Sequence, residues 1–533
     1  MTAVLGGVLQ RRRLSRWAWV EWAASVGVLV GAAAVVRVAR WGPDWPAQEF
    51  RAWTAQHFGL TVWTNFWFAG EPLPGYSVLY PPVAAVLGAR LTGLVAVAVA
   101  AYGAGAFVPR ESRIRAAAYR ASVGFVLVGD LLIGQLPFLL GIAAGVCALR
   151  VLVRTGPWWL VAVLAAASSL ASPMAGAFLL LTAPAVLTAL GLRRAVPLGA
   201  ALAGIATSAL LGGSGGPFPW GSHSLIAILA FVVIALLVVG PADRAVQVLM
   251  LTYALASIAL ALVPNPLGGN MPRFGQLVGL PMFWVVLPRL RVRSRLVAAV
   301  VAGLAIGWPA TPTVSSAVAG ATDPSQSPAF YTGLLTYLHT QPMTTSRIEV
   351  VSTREHWESL WIAREFPIAR GWERQTDLAA NPVLYRPLST SGYRAWLDDN
   401  AVSLVALPNA PIDLGGRAEA ALLAHPPSYL QPVWHDANWR VWRVTDATPL
   451  VTGPATLRAL GPASFVLDFR QAGRATVRIR ASGMWSISSG RGCVGATAGQ
   501  RWLLVSAPVA ETLVVRSRIG MHALAGDADS RCS

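Results

Sequence analysis

Long apolar runs, separated by short polar connections, fill the first 311 residues of the chain. A membrane-spanning helix needs about 20 consecutive residues that are mostly apolar. By that measure the pattern predicts about eleven spans, several of them short. They lie near residues 18–39, 84–108, 117–133, 136–153, 157–171, 173–191, 195–211, 224–240, 245–263, 274–288 and 296–311.

Arginines group at every second connection between these runs. The groups are Arg11 to Arg16, Arg110 to Arg115, Arg150 and Arg154, Arg193 and Arg194, Arg244, and Arg289 to Arg295. Cytoplasmic connections of membrane proteins are enriched in basic residues, so these connections are predicted to be cytoplasmic. The run after Arg16 has no cleavage site of small residues, and we interpret it as a retained signal anchor. The N-terminus is then cytoplasmic, and an odd number of spans places the C-terminus outside the cytoplasm.

The composition is typical of a polytopic α-helical protein of the plasma membrane. Of 533 residues, 55% are hydrophobic and only 12% are charged, which excludes an ordinary soluble protein. A formal net charge of +18 could indicate nucleic-acid binding. The arginines are spread over the connections and do not form one basic surface, so we predict no nucleic-acid partner.

Hydropathy falls after the last apolar run, and two further domains are predicted. Residues 312–450 mix helical periodicity with short apolar strands, including a hairpin over 431–444, which indicates an α/β domain. Residues 451–533 alternate polar and apolar positions, which indicates a β-sandwich. Both domains are predicted to be extracytoplasmic, where Cys493 and Cys532 could form a disulfide.

The first outer connection, residues 40–82, differs from the others because acids, a histidine and many aromatic residues occur together in it. Aromatic side chains beside a span are expected at the membrane–water interface. The polar residues need a further reason, so we interpret this connection as the catalytic outer loop of a transmembrane domain formed by residues 1–311. Its candidate substrate-binding residues are Glu49, His57, Trp63, Asn65, Trp67 and Tyr76.

Asp44 has two compatible interpretations. It precedes Trp45 and Pro46, a pattern typical of a helix N-cap followed by proline in the first turn. A carboxylate at the boundary of lipid and water could also act as a general base that deprotonates a hydroxyl nucleophile. Glu49 and His57 share one face of the following helix, either within an amphipathic interfacial helix or as substrate contacts.

Two further charged residues lie at predicted outer ends of spans. Asp130 is bordered by apolar residues, which is costly unless the acid serves a site or pairs with an outer arginine. Arg273 lies on the side poor in arginine, and it either binds a phosphate through its guanidinium or extends to the interface at a span end. Asn270 could donate to the same phosphate. The sequence has no Walker loop, HExxH or Cys/His metal spacing.

These features together resemble the GT-C class of membrane glycosyltransferases, which has an acid in the first outer loop, many spans and a soluble C-terminal region. The motifs DWPAQEFR, PGYSVLYPP, GQLPFLLG, GGNMPRFG and YRAWLDDNAVSLVALP also resemble a group of actinobacterial polytopic proteins, often labelled membrane proteins or transporters. In GT-C enzymes the first-loop acid acts as a base or a metal ligand, so the resemblance implies Mg²⁺ or Mn²⁺ as a candidate cofactor. Trp45 and Pro46 follow Asp44 where the class commonly has an acidic pair, which departs from the metal-binding pattern.

The predicted function is the transfer of a sugar from a polyprenyl-phosphate donor to a cell-envelope glycan or lipid acceptor on the outer side of the membrane. Asp44 and Asp130 are the candidate catalytic residues, and Arg273 is expected to hold the leaving phosphate. The C-terminal region is expected to bind acceptor glycan through Arg370 and Trp372. Two alternatives stay open, a transporter or flippase of a lipid-linked or small substrate and a non-catalytic scaffold with an outer glycan-binding domain.

Overall fold

The structure is a computed structural model of the chain that describes residues 14–38, 41–73, 76–109, 111–212, 216–218, 220–239, 243–289 and 295–518. Several residues that carry predictions lie outside this part of the chain, namely Cys532, Arg11, Arg12, Arg13, Arg110, Arg291 and Arg293. The chain forms two compact units. The helical unit contains Met1–Trp45, Tyr76–Ala209 and Ser214–Ala321, and the mixed unit contains Pro46–Gly75, Leu210–Gly213 and Thr322–Ser533.

Every predicted span contains a helix, as expected for segments that can satisfy their backbone hydrogen bonds internally within a bilayer. In chain order the helices as far as Ala321 are α1 (Leu14–Val38), α2 (Trp45–Phe58), α3 (Tyr80–Leu87), α4 (Ala89–Ala104), α5 (Arg113–Ile133), α6 (Leu136–Val153), α7 (Trp158–Ala171), α8 (Pro173–Leu181), α9 (Ala183–Leu190), α10 (Leu192–Ala195), α11 (Ala200–Gly212), α12 (Ser222–Val239), α13 (Arg244–Leu262), α14 (Pro272–Val286) and α15 (Arg295–Ala321).

Six helical segments among the described residues are long and apolar enough to cross a membrane. They are Ala89–Phe107, Arg113–Ile133, Leu136–Val153, Pro173–Leu190, Ser222–Val239 and Arg244–Leu262. The chain is therefore a multi-span membrane protein, but the predicted number of about eleven spans is not confirmed. Some predicted spans form short helices: α11 has 13 residues and α14 has 15, fewer than the roughly 20 that a span requires.

The predicted first outer loop is divided between the two units. Asp44 and Tyr76 belong to the helical unit, whereas residues 46–75 belong to the mixed unit, where β1 (Trp63–Thr64) pairs with β2 (Glu71–Pro72). The sequence prediction assigned the whole loop to the transmembrane domain. The difference arises because aromatic side chains bury large apolar areas, and several of those in 46–75 fill the interior of the mixed unit.

An α/β sheet forms the next part of the mixed unit. Its strands are β3 (Arg347–Val350), β4 (Val402–Pro408), β5 (Leu430–His435) and β6 (Trp439–Val444), in the order β3-β4-β6-β5. β3 and β4 are parallel, and β5 and β6 form the predicted antiparallel hairpin. The accompanying helices are α16 (Pro328–His339), α17 (Glu358–Trp361), α18 (Arg374–Ala380), α19 (Thr390–Asp399) and α20 (Arg417–Leu423).

Two antiparallel sheets follow. Their strands are β7 (Val451–Thr452), β8 (Ala455–Gly461), β9 (Ser464–Phe469), β10 (Gly473–Arg480), β11 (Trp485–Ser489), β12 (Cys493–Ala496), β13 (Trp502–Ala507) and β14 (Thr512–Ser517). The sheet orders are β12-β13-β10-β7 and β11-β14-β9-β8. Alternate residues of β9, including Phe465 and Leu467, are buried in the shared core, which is the period-two pattern seen in the sequence.

The last helix of the helical unit ends at Ala321, beyond the predicted domain boundary at residue 311. Residues on both sides of the predicted boundary at residue 450 belong to one compact unit. The division into two domains there stays a prediction. Cys493 is disulfide-bonded, and Cys147 is a free thiol in α6.

Candidate active site

The carboxyl-terminal end of α5 organises the polar part of the helical unit. The last carbonyl groups of a helix have no partner within the helix itself. Three of them accept hydrogen bonds from the segment that leads into α2: Ile133 O from Asp44 N at 3.1 Å, Leu132 O from Gly42 N at 2.8 Å, and Leu131 O from Trp45 Nε1 at 2.9 Å. These bonds fix the backbone of Asp44 to the end of α5.

The turn after α5 approaches Asp44 so closely that it requires glycine. Gly134 has a φ of +97°, a conformation that residues with a Cβ adopt only with strain. A Cβ at this position would lie 2.4 Å from Trp45 N and 2.8 Å from the carbonyl carbon of Asp44. Gly134 therefore both ends α5 and leaves room for the segment that carries Asp44.

Asp130 and Arg273 lie on two helices that pack together beside this turn. Asp130 lies in the last turn of α5, and Arg273 lies in the first turn of α14, which packs against α5. The guanidinium of Arg273 interacts electrostatically with the Asp130 carboxylate, and its central carbon lies 5.9 Å from the centre of the Phe138 ring. Asn270 ends the short 3₁₀ turn just before α14, and it is half-buried.

Gln135 is a polar residue of this turn that sequence reasoning did not select. Its side chain is buried, and its Oε1 has no hydrogen-bond partner in the part of the chain that the structure describes. A buried acceptor of this kind is costly unless a ligand or water satisfies it. A glutamine between two long apolar runs was the available signal in the sequence.

An apolar cavity of about 490 Å³ begins one helical turn away from the Asp130–Arg273 pair. Its walls include Leu127, which precedes Asp130 by one turn of α5, and Phe274, which follows Arg273. At its other end the cavity is lined by Glu111 and Arg115. It therefore extends along α5 and α14 from the predicted outer end of the helical unit to a connection predicted to be cytoplasmic.

Other predicted first-loop residues lie at the surface of the units. In the mixed unit, Glu49 lies 3.8 Å from Arg364, and the exposed His57 has its Nδ1 2.9 Å from Trp53 O. Tyr76, in the helical unit, is half-buried. Their predicted role in substrate binding stays a prediction.

Trp63, Asn65 and Trp67 are enclosed within the mixed unit. The Trp63 indole donates to Asn65 Oδ1, and the Asn65 amide in turn donates to Gly461 O at 2.8 Å. Trp67 is fully buried, and its Nε1 donates to Ser359 O at 2.9 Å. Both indole rings are buried against protein and are not available to a sugar in the structure, so the predicted role of Trp63 and Trp67 in substrate binding is not supported by their placement.

Arg370 and Trp372 are buried in an ionic cluster. Arg370 Nε donates to Asp377 Oδ1 at 3.0 Å, and the same guanidinium lies 3.8 Å from Glu349. The Trp372 ring stacks on His356 with a centroid separation of 3.3 Å. Both side chains are more than 90% inaccessible to solvent, so they are suited to holding the α/β part together and not to an exposed glycan surface.

A third acid of the first loop, Glu71, has an unusual environment that sequence reasoning did not identify. It is buried 4.0 Å from Arg51, whose Nη1 donates to Glu373 Oε1 at 2.8 Å. Burial raises the pKa of Glu71 to about 7, although the charge of Arg51 opposes this shift. Arg51 and Glu373 are 322 residues apart along the chain, so no local sequence pattern could predict the cluster of Arg51, Glu71 and Glu373.

A divalent cation held by the protein does not fit the described residues. They contain no group of three or more His, Cys, Asp or Glu side chains suited to a metal ion. Mg²⁺ and Mn²⁺ prefer several oxygen ligands, and the Arg273 cation beside Asp130 would repel a metal there.

No protein-family model matches the chain, and no curated protein matches it. Among solved structures, it is similar to the arabinofuranosyltransferase AftD from mycobacteria and to a mutant of that enzyme, both determined by cryo-electron microscopy. The identities are 13% and 14%, the TM-scores are 0.44 and 0.42, and each similarity covers 81% of this chain. The chain spans only about two fifths of the AftD chain, 40% and 41% in the two comparisons. A likeness this distant does not assign the chain to a family.

Proposed function

We propose that the chain is a membrane glycosyltransferase that moves a sugar from a lipid-phosphate donor to a glycan or lipid acceptor outside the cytoplasm. One observation carries the proposal. Asp130, Arg273 and the backbone of Asp44 lie at or beside the carboxyl-terminal end of α5, and the nearby residues Leu127 and Phe274 line an apolar cavity of about 490 Å³. An apolar cavity with an arginine next to one of its wall residues suits a ligand with a hydrocarbon chain and an anionic head group.

The donor's two chemical parts match the two parts of this region. The apolar wall formed by residues such as Leu127 and Phe274 can hold part of a prenyl chain. Arg273, in the first turn of α14, can bind two phosphate oxygens at once. The amino end of a helix also favours a negative charge, which adds to the attraction.

Transfer needs one bond to form and one to break. A carboxylate, for which we propose Asp44, accepts the proton of an acceptor hydroxyl, and the oxygen attacks the anomeric carbon of the donor sugar. The bond between that carbon and the phosphate oxygen breaks, and the phosphate leaves with the electron pair as a stable anion. Arg273 compensates the additional negative charge, while Asp130 holds Arg273 in place when the phosphate is absent.

Gln135 gives the proposed site a contact for the sugar itself. Its Oε1 is buried without a partner among the described residues, so it can accept a hydrogen bond from a sugar hydroxyl. Such a bond satisfies an otherwise costly buried acceptor, and it favours a hydroxylated ligand over an apolar one.

Transfer in vesicles tests the proposal. Purified chain is incubated with polyprenyl phosphates that carry different labelled sugars and with short glycan acceptors. Asp44→Asn keeps a side chain that can cap a helix but cannot act as a base, and it should lower kcat by about 10²- to 10⁴-fold. Arg273→Gln should weaken donor binding and slow transfer together.

Asp243→Asn is the matched control for the Asp44 variant. Asp243 caps α13, where its side chain accepts a hydrogen bond from Val246 N. Because Asp243 does not line the cavity of about 490 Å³, the control should keep wild-type activity. Full transfer by Asp44→Asn would refute the base assignment, and a chain that transfers no sugar from any polyprenyl phosphate would refute the enzyme proposal.

A second candidate function, movement of a lipid-linked substrate across the membrane, is favoured by one feature. The far end of the cavity is lined by Glu111 and Arg115, so charged groups occur at both ends of the apolar space. A flippase should move a fluorescent polyprenyl phosphate between leaflets of a vesicle without changing it chemically. Such movement without any glycosyl transfer would favour this alternative over the transferase.

A further inference from the structure

A second apolar cavity, of about 440 Å³, lies between α12, α14 and α15. Its walls include Phe231, Phe283, Leu304 and Trp308. Among the described lining residues Thr311 alone has a hydroxyl or charged group, and its hydroxyl already donates to Gly307 O at 2.8 Å. Apart from the indole N–H of Trp308, the side chains of the described wall therefore offer mainly hydrocarbon contacts.

The two cavities occupy adjacent faces of α14. The first begins at Phe274 and the second at Gly275, so both start within the first turn after Arg273. They also share three wall residues, namely Val246, Met282 and Val286. Because a helix rises about 1.5 Å per residue, the outer ends of the two cavities differ in depth by only about 2 Å along α14.

Two glycines of α15 line the second cavity. Gly303 and Gly307 are one turn apart, and a Cβ built on either would have no atom within 4 Å. A leucine at either position would therefore project into open space and not into a neighbouring helix. This makes it possible to fill the cavity without disturbing the packing of the helical unit.

We propose that the second cavity holds the hydrocarbon chain of a lipid-anchored acceptor, so that the acceptor is a membrane glycolipid. This inference rests on the proposed transferase function and names the second substrate of the same site. The donor chain occupies the first cavity, and a transferase must bring a second substrate to Arg273. An acceptor anchored on the adjacent face of α14 presents its head group at the same depth and in the same interfacial layer as the donor phosphate.

Alkyl glycosides that differ only in chain length test the proposal by kinetics. A methyl and a hexadecyl glycoside of the same disaccharide are compared as acceptors for the full chain in nanodiscs. The wild-type KM should be at least tenfold lower for the hexadecyl compound. Gly307→Leu should remove that difference by raising the KM for the hexadecyl compound.

Gly31→Leu is the matched control, because Gly31 also has no atom within 4 Å of a built Cβ and lines neither cavity. It should keep the tenfold preference. If the wild type shows no dependence on chain length, or if Gly307→Leu keeps the dependence, the acceptor is not anchored in this cavity and the inference is wrong.

Photo-crosslinking separates this failure from failure of the transferase proposal. A hexadecyl glycoside with a diazirine in its chain should label peptides 227–239 and 301–311 of the wild type, and Gly307→Leu should abolish the labelling. Equal labelling by a diazirine phosphatidylcholine would indicate an ordinary bilayer lipid and overturn the inference. Selective glycoside labelling without transfer of any sugar would support the binding site and refute the transferase function alone.

Discussion

Replacing Gly134 by alanine tests whether the turn after α5 holds Asp44 in a working position. The new Cβ would lie 2.4 Å from Trp45 N, whereas ordinary van der Waals contact begins at 3.4 Å. The segment must therefore move by about 1 Å, a misplacement that typically costs about 10²-fold in rate. The φ of +97° adds backbone strain of about 1–2 kcal/mol.

The displacement also threatens the hydrogen bonds from Asp44 N and Gly42 N to the end of α5. Each such bond contributes about 0.5–1.5 kcal/mol, so the two bonds and the backbone strain together should cost about 2–5 kcal/mol of stability. Thermal unfolding in detergent measures this loss, and glycosyl transfer in vesicles measures the rate. The expected result is a folded variant with a lower melting temperature and about 10²-fold lower kcat.

Gly191→Ala provides the control for backbone strain alone. Gly191 has a φ of +84°, and a Cβ built there has no atom within 4 Å. This variant should lose about 1–3 kcal/mol, because its combination of φ and ψ is almost confined to glycine, and it should keep its kcat. If Gly134→Ala transfers sugar at the wild-type rate, Asp44 is not held in place by this turn, or it is not the base.

Two further predictions concern the mixed unit. Folding raises the pKa of Glu71 from 4.5 to about 7, so between these pH values the folded chain retains a proton that the unfolded chain releases. This protonation stabilises the folded chain by at most about 3 kcal/mol. The stabilisation is fully present below pH 4.5 and is lost as the pH rises to 7. Glu71→Gln should remove that pH-dependent loss. If the unfolding free energies of the wild type and the variant change in the same way between pH 4 and 8, Glu71 does not titrate in that range. Trp67→Ala should destabilise the mixed unit by about 3–5 kcal/mol, because the ring is fully buried. Phe58→Ala, at a side chain that is 45% exposed, should change stability little, and equal losses in denaturant titrations would contradict the packing described here.

The helices and strands could be predicted from the sequence because their patterns are local. The apolar runs contain helices, and the alternation in β9 reports one buried and one exposed face. The number of spans was harder to predict from the sequence, because hydropathy alone does not distinguish a full span from a short helix packed among other helices. α14 shows this, since it has 15 residues and an internal proline, Pro281.

The site was partly predictable. Asp130 and Arg273 were conspicuous as charges in apolar surroundings, and the structure places them on neighbouring helices where Arg273 interacts electrostatically with Asp130; their catalytic roles stay a prediction. The surroundings of Trp67 and Arg51 were not predictable, because their partners lie 292 and 322 residues away along the chain. Aromatic residues beside a span were interpreted as interfacial, yet burial in the mixed unit satisfies the same amphipathic side chains equally well.

Binding of an unreactive donor analogue tests the central claim most directly. A polyprenyl phosphonate bound to the full chain in nanodiscs can be located by cryo-electron microscopy. We predict that its chain occupies the cavity beside Leu127 and Phe274 and that its phosphonate oxygens bind the guanidinium of Arg273. A chain that lies elsewhere, or a phosphonate that binds away from Arg273, would contradict the account.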